Sequence, residues 1–427
     1  MLAPLKALIK PHMWRSSDAA LRLMAPRAFA TGAIRKRQTS RHIAVLITSG
    51  AGSVGDAAMT HAAVQGLRGL HPSARITLIS HEPGDAETYA HLKTSHLCLK
   101  GYFERLPSPK ACRALGALFG SCTDFVVLGA DILDGRYSES RSFRRLYLAE
   151  MAHRLGVRAH IIGFSFAEAA NPRIIDWLSR HGRQFNIFCR EPLSAARVAK
   201  IIGRPVESGA DIAFLLPLPS HCDVKAAQRA ERQMEAWHEQ GRPVVVLNAN
   251  PLGLLAERPD IDLATAARAY AAAMAALSRK TNAAILLLTH DNRPAHSDAA
   301  FMSQIAAHLP DDVPQHFVAD TVRPTDIKRL CHLADLAITG RMHLGIASLG
   351  AGTPAMILDY QSKVRGLLGL FTLPELAFTA QDLMDADSFA TRAALHLDAR
   401  QTLADQIETH LPKVKALSQK TVDTVGT

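Results

Sequence analysis

The densest run of reactive side chains is LAITGRMHLGIASLGAGTPAMILDYQSKVRGL, residues 336–367. Gly340, Arg341 and His343 follow an apolar run that reads as a strand, so a guanidinium, an imidazole and the start of a helix meet at one turn. A helix amino end carries unpaired N–H groups and the positive end of the helix dipole; with two such side chains it makes a pocket for a compact anion. Tyr360 and Lys363 arrive one strand later on the same rim, because parallel strands end on a common side. Arg190 stands in the same relation to the run NIFC. A planar fork at a strand's carboxyl end suits a carboxylate or phosphate, and an ion pair with Glu191 or Asp211 is its alternative use. Ser194 reads as the N-cap of the helix that follows.

Two further strand ends offer chemistry. LLLTHDNRPAHSD supplies His290, Asp291 and Arg293, with His290 either polarised by Asp291 or part of a capped loop. In TSGAGSVGDAAM, Gly50, Gly52 and Gly55 match the G-x-G-x-x-G of a dinucleotide turn, with Glu82 ending the next strand where a ribose-binding acid would sit. Asp56 opposes that reading, because a carboxylate in the first helical turn repels a pyrophosphate. Asp56 is then a helix cap, a role Ser53 could share, or a general acid or base where glycines let a sugar or another segment approach. Asp131 and Asp134 in VLGADILDGRYS read as turn or sugar-binding carboxylates, since no partner ligands complete a metal set.

The elements that must position these groups are those of an α/β protein. From residue 43 short β-branched runs alternate with longer helical stretches, the pattern of parallel sheets covered by helices. Strands are expected at 42–48, 75–80, 124–128, 158–163 and 186–189, and helices at 56–70, 143–155 and 194–202. The pattern restarts with strands at 243–250, 282–290, 316–320, 336–339 and 354–360, and helices at 262–280, 298–308, 324–335 and 342–351. Expected boundaries are a basic flexible tail over 1–40, one Rossmann-like domain over 41–220, a second over 240–385, and helices over 386–427 that pack back across the first domain. The polar segment 220–242 reads as the connection.

Composition narrows the classes. In 427 residues, 48% are hydrophobic and 21% charged, which excludes bulk disorder, and no apolar run approaches the ~20 residues that cross a bilayer. The net charge of +10 is concentrated at the amino end: residues 1–42 hold nine basic side chains against Asp18 alone. A basic arm on a nearly neutral body suits phosphates or an anionic membrane surface and argues against a nucleic-acid-binding fold. It also fits a solubilising leader or an organelle transit peptide. Six cysteines with no C-x-x-C pair read as reduced thiols of a cytoplasmic protein.

GSVGDAAM, CREPLS and GRMHLGIASLGAGTPAMILDYQSKVRGL together resemble the polysaccharide pyruvyl transferase family. Its members show an N-x-G-D-x-A turn, an R-x-x-x-S segment, and a terminal R-x-H block with G-x-P and a downstream Y-x-x-K. Here Gly52 replaces the usual asparagine. The resemblance implies two doubly wound domains of GT-B type facing a central cleft. It also implies transfer of an enolpyruvyl unit from phosphoenolpyruvate to two hydroxyls of one sugar, making a ketal and releasing phosphate, with no cofactor and no metal. Donor binding falls on Arg190, Arg341 and His343; Lys363 completes the cationic cluster, and His290 is also expected on the donor side. His343 is the expected acid, and Asp56, across the cleft, the expected base. Ser53, Gly55 and Asp131 are expected on the acceptor side. The acceptor is a glycan or lipid-linked oligosaccharide, approached at the membrane through residues 1–40. A nucleotide-sugar glycosyltransferase is the nearest alternative, a dinucleotide-dependent oxidoreductase the next.

Overall fold

The computed structural model describes residues 40–49, 52–103, 108–293, 297–320, 322–359 and 363–426, with seven positions between 18 and 30; of Lys363 only the backbone is described. The chain forms two units. One comprises Met1–Ala51, Met59–Ile212 and Leu417–Thr427, the other Gly52–Ala58 and Ala213–Ala416.

The first unit is built on β1 (His42–Leu46), β2 (Arg75–Ser80), β3 (Ser95–Cys98), β4 (Asp124–Ala130), β5 (Arg158–Phe164), β6 (Asn186–Cys189) and β7 (Glu207–Ser208). They pair in parallel in the order β3-β2-β1-β4-β5-β6-β7. Every residue of β1 and β4 is buried, as sheets covered by helices on both faces require. The second unit repeats the scheme with β8 (Val244–Asn248), β9 (Ala284–Leu288), β10 (Gln315–Val318), β11 (Leu336–Thr339), β12 (Ala355–Leu358) and β13 (Ala377–Phe378). Its order is β10-β9-β8-β11-β12-β13, again all parallel. Both orders reverse direction at the first strand of the unit, so each sheet has a switch point, at β1/β4 and β8/β11, where ligands of such folds bind.

Helices start where local chemistry says they should. Asn171 and Pro172 open the helix Pro172–His181, with Asn171 Oδ1 accepting from Arg173 N at 2.9 Å. The helix near Arg190 starts two residues before the expected Ser194. Pro192 takes its first position, Glu191 is the N-cap, and Ser194 Oγ accepts from Phe166 N at 2.6 Å.

The expected boundaries shift. Residues 225–239, read as part of a polar connection, are a helix of the second unit whose Ala226, Ala227, Ala230, Met234 and Trp237 form a buried stripe. The helices Ala386–Asp398 and Arg400–Asp423 lie mostly in the second unit, and only Leu417–Thr427 joins the first. There Ser418 Oγ donates to Asp211 O at 2.8 Å and Arg41 Nη2 to Val425 O at 2.7 Å. Most of the expected basic tail lies outside the described residues. Two members that are described do not behave as a free tail: Asp18 is buried against Arg144 and Arg173 at 2.7 and 2.9 Å, and Phe29 is in the first unit's core against Phe119.

Candidate active site

The switch point of the second sheet is assembled from buried polar residues at the ends of β8 and β11. Gly340 N donates to Asn248 O at 2.9 Å, and Thr339 Oγ1 donates to Asn248 Oδ1 at 3.2 Å while accepting from Arg341 N at 2.9 Å. These bonds fix the turn from which Arg341 and His343 project. The helix Met342–Leu349 begins with Arg341 as N-cap and no side-chain cap, the kind of amino end that receives phosphates.

A short piece of chain from far upstream completes this rim. Gly52–Ala58 belongs to the second unit, although the rest of the helix Val54–Leu70 belongs to the first. Ser53 and Asp291 form an antiparallel bridge, with Val54 N donating to His290 O at 3.2 Å and Asn292 N to Gly52 O at 2.8 Å. Gly52 makes the turn with φ +98°, a conformation that only glycine takes without strain. Gly55 lies so close to the His343 ring that a Cβ there would stand 2.6 Å from its Cγ and Nδ1. Ser53 Oγ donates to Asp56 Oδ2 at 2.8 Å, and Ser53 O accepts from Ala57 N, so both residues also organise the start of the helix. The expectation that Asp56 faces His343 from the opposite domain is therefore corrected. The backbone bridge to Asp291 carries the Asp56 turn onto the unit that holds His343.

The site's charges are largely balanced. Arg341 Nη2 reaches Asp298 Oδ1 at 2.6 Å and its Nη1 lies 3.4 Å from Asp291 Oδ2, while Arg293 pairs with Asp291 at 2.5 Å. The two guanidiniums thus meet two carboxylates that are 0% and 3% exposed. The cationic pocket read from sequence is thus neutralised by two acids, Asp291 of the strand-end motif and Asp298 at its close. His290 is buried, and its pKa is driven well below the ordinary histidine value, first by burial and then by His343, Arg341 and Arg293. Burial beside these cations favours its neutral imidazole.

The structure brings together Ser53, Gly55, Asp56, His290, Arg341 and His343. Arg190 and Asp131 lie in the first unit, at the ends of β6 and β4. Arg190 is buried, donating from Nη1 to Asp211 Oδ2 at 2.8 Å and from Nε to Ser165 Oγ at 2.7 Å, which is the ion pair weighed from sequence. Asp131 accepts from the Tyr137 hydroxyl at 3.1 Å, and Asp134 Oδ1 accepts from Arg136 N within its turn. Lys363 starts the helix Lys363–Gly369; its side chain and Tyr360 lie outside the described residues. Two participants went unread, Asn248 and Asp298. The first had a signal, a polar residue closing the buried run PVVVLN, and the second sat inside a quoted motif without visible purpose. Among the described residues no group of three or more His, Cys, Asp or Glu side chains converges as a metal site, and no helix is long and apolar enough to cross a membrane.

Comparisons with known proteins fit this arrangement. Among solved structures, the chain is similar to MnaA of S. aureus in complex with UDP (TM-score 0.60, 11% identity, 89% of this chain and 94% of that one). It is also similar to UDP-GlcNAc 2-epimerase from Neisseria meningitidis bound to UDP-GlcNAc (0.57, 11%, 90% and 99%) and to UGT71G1 of Medicago truncatula with UDP-glucose (0.52, 10%, 91% and 99%). At such identities these establish the two-domain GT-B fold. A curated relative, the amylovoran biosynthesis protein AmsJ of Erwinia amylovora, is 32% identical over 90 residues, and the match spans about a fifth of the length of each protein. The model of the polysaccharide pyruvyl transferases matches residues 54–362, from the first residue of the helix beside His343 to just past β12. Because that match covers more than half of the chain, the chain belongs to the polysaccharide pyruvyl transferase family.

Proposed function

We propose that this transferase moves the enolpyruvyl group of phosphoenolpyruvate onto two hydroxyls of one sugar in a polysaccharide or its lipid-linked precursor. The observation that carries the proposal is the docking of the Gly52–Asp56 turn against His343. It places a carboxylate and an imidazole from distant motifs on one rim beside Arg341 and an uncapped helix start. In this reading the donor's phosphate and carboxylate lie against Arg341 and the amino end of the helix Met342–Leu349. His343 gives a proton to the methylene carbon, which leaves the central carbon cation-like. A sugar hydroxyl adds there and loses its proton to Asp56. Phosphate then departs, taking up the proton held by Asp56, and the neighbouring hydroxyl closes the ketal and returns its proton to His343. No electrons are exchanged, so the chemistry calls for no redox cofactor. Lys363, which opens the helix after β12, keeps its expected place in the donor's cationic cluster.

Transfer from a nucleotide sugar is the second reading, favoured by the UDP found in several structures of the same fold. The two are separated by offering lipid-linked oligosaccharides with phosphoenolpyruvate labelled in its pyruvyl carbons and, in parallel, with labelled UDP-sugars. Label in the glycan with one phosphate released per ketal supports the first. Sugar incorporation with no pyruvyl transfer overturns it.

A further inference from the structure

We propose that Asp298 is the positioning residue of this rim, the buried carboxylate that locks the Arg341 guanidinium and the His290–Asp291 turn in one arrangement; its meaning for donor binding rests on the reading of Arg341 given above. Asp298 is fully buried, and its two oxygens are divided between two tasks. Oδ1 accepts from Arg341 Nη2 at 2.6 Å and from Nε at 3.2 Å. Oδ2 accepts from His290 N at 3.2 Å, Asp291 N at 3.1 Å and Asn248 Nδ2 at 3.2 Å. One carboxylate therefore ties the ends of β8 and β9 to the side chain that follows β11.

The position of Asp298 in the fold sets this apart from ordinary capping. It is the N-cap residue of the helix Ala299–His308, where an aspartate usually accepts from its own helix amides. Its side chain makes no such bond. Its backbone N donates to Asp291 O at 2.8 Å, so main chain and side chain both clasp the same turn. That turn in turn holds Ser53 and Val54, so the clasp reaches the Gly52–Asp56 segment through a single layer of backbone bonds. Arg341 is held by Nη2 and Nε together, which fixes the plane of its guanidinium.

The test uses the full chain and two independent readouts. In substrate-free protein labelled with nitrogen-15 arginine, the Arg341 Nε–H, identified by its loss in Arg341→Lys, is expected as a slowly exchanging resonance that Asp298→Asn abolishes. An unchanged resonance in Asp298→Asn overturns the proposal whatever the donor is. In steady-state transfer, Asp298→Asn is expected to raise the half-saturating phosphoenolpyruvate concentration ~10-fold or more and leave that of the acceptor unchanged. In the Arg341→Lys background it is expected to add less than about twofold, because the two changes break one unit. Independent, multiplying effects, or equal losses for donor and acceptor, overturn the positioning role. Should wild-type protein show no transfer from phosphoenolpyruvate, the donor reading fails while the resonance still decides the role of Asp298. If Asp298→Asn does not fold, Asn248→Ala, which removes one of the donors to Oδ2, takes its place; faster exchange of the Arg341 Nε–H is expected, and unchanged exchange overturns the proposal.

Discussion

Replacing Gly55 by alanine separates catalysis from stability at this site. In an ordinary helical position the change stabilises by ~0.5–1 kcal/mol, since alanine is the better helix former. Here the new Cβ would stand 2.6 Å from Cγ and Nδ1 of His343, whereas ordinary contact begins at 3.4 Å, so the ring must retreat by about 0.8 Å. Overpacking of this kind costs ~1–3 kcal/mol. Partly offset by the helical gain, it leaves a net loss of about 0–2.5 kcal/mol, a fall in Tm of at most several degrees for a unit of this size. The catalytic loss is larger, because a displacement of ~1 Å at a reacting group costs up to ~100-fold. Label transfer from phosphoenolpyruvate should therefore slow ~10- to 100-fold while the protein remains folded by calorimetry. In a His343→Ala background the methyl has room, so Gly55→Ala should there be neutral or stabilising and cause no further loss of rate. A single Gly55→Ala variant with a turnover within twofold of wild type would refute the reasoning, as would a Gly55→Ala change that still destabilises once the ring is gone.

His343→Ala and Asp56→Ala should each lower kcat by ~10²- to 10⁴-fold in the same assay, the usual contribution of one positioned acid or base; near-normal turnover removes the residue from the mechanism. Arg190→Met leaves Asp211 buried without its guanidinium and should cost ~3–5 kcal/mol in thermal unfolding, with a smaller loss when Asp211 is replaced by leucine in the same protein. Lys328 is buried in the wall of a cavity of about 600 Å³ in the second unit, and burial, with help from Lys415, lowers its pKa from 10.5 to about 7. Between those values the folded state binds fewer protons than the unfolded one, so this lysine's contribution to stability rises with pH from about 7 to about 10. Unfolding midpoints should show wild type gaining on Lys328→Met across that range, and a constant difference contradicts the assignment.

What the sequence carried by itself was the periodicity of the sheets and the residue types at their strand ends. Apolar runs such as PVVVLN and LAIT mark strands because both faces of a parallel sheet are buried, and 75–80, 186–189 and 336–339 coincide with observed strands. Arg341 and His343 were legible because a cation at a strand end is an unusual use of a buried edge. The helix 225–239 was not, since its buried stripe is mainly alanine and the remaining faces are polar. Tertiary structure alone decided which strand ends meet. Residues 52–58 precede an intervening unit, yet bond to 290–292 through their backbone and lie against the His343 ring at Gly55, contacts that leave no pattern in side-chain types. The same holds for Asp298, whose role depends on donors 8, 43 and 50 positions away. Strand-end motifs name the reactive groups, but charge balance and orientation are set by long-range pairs that form only when the sheet does.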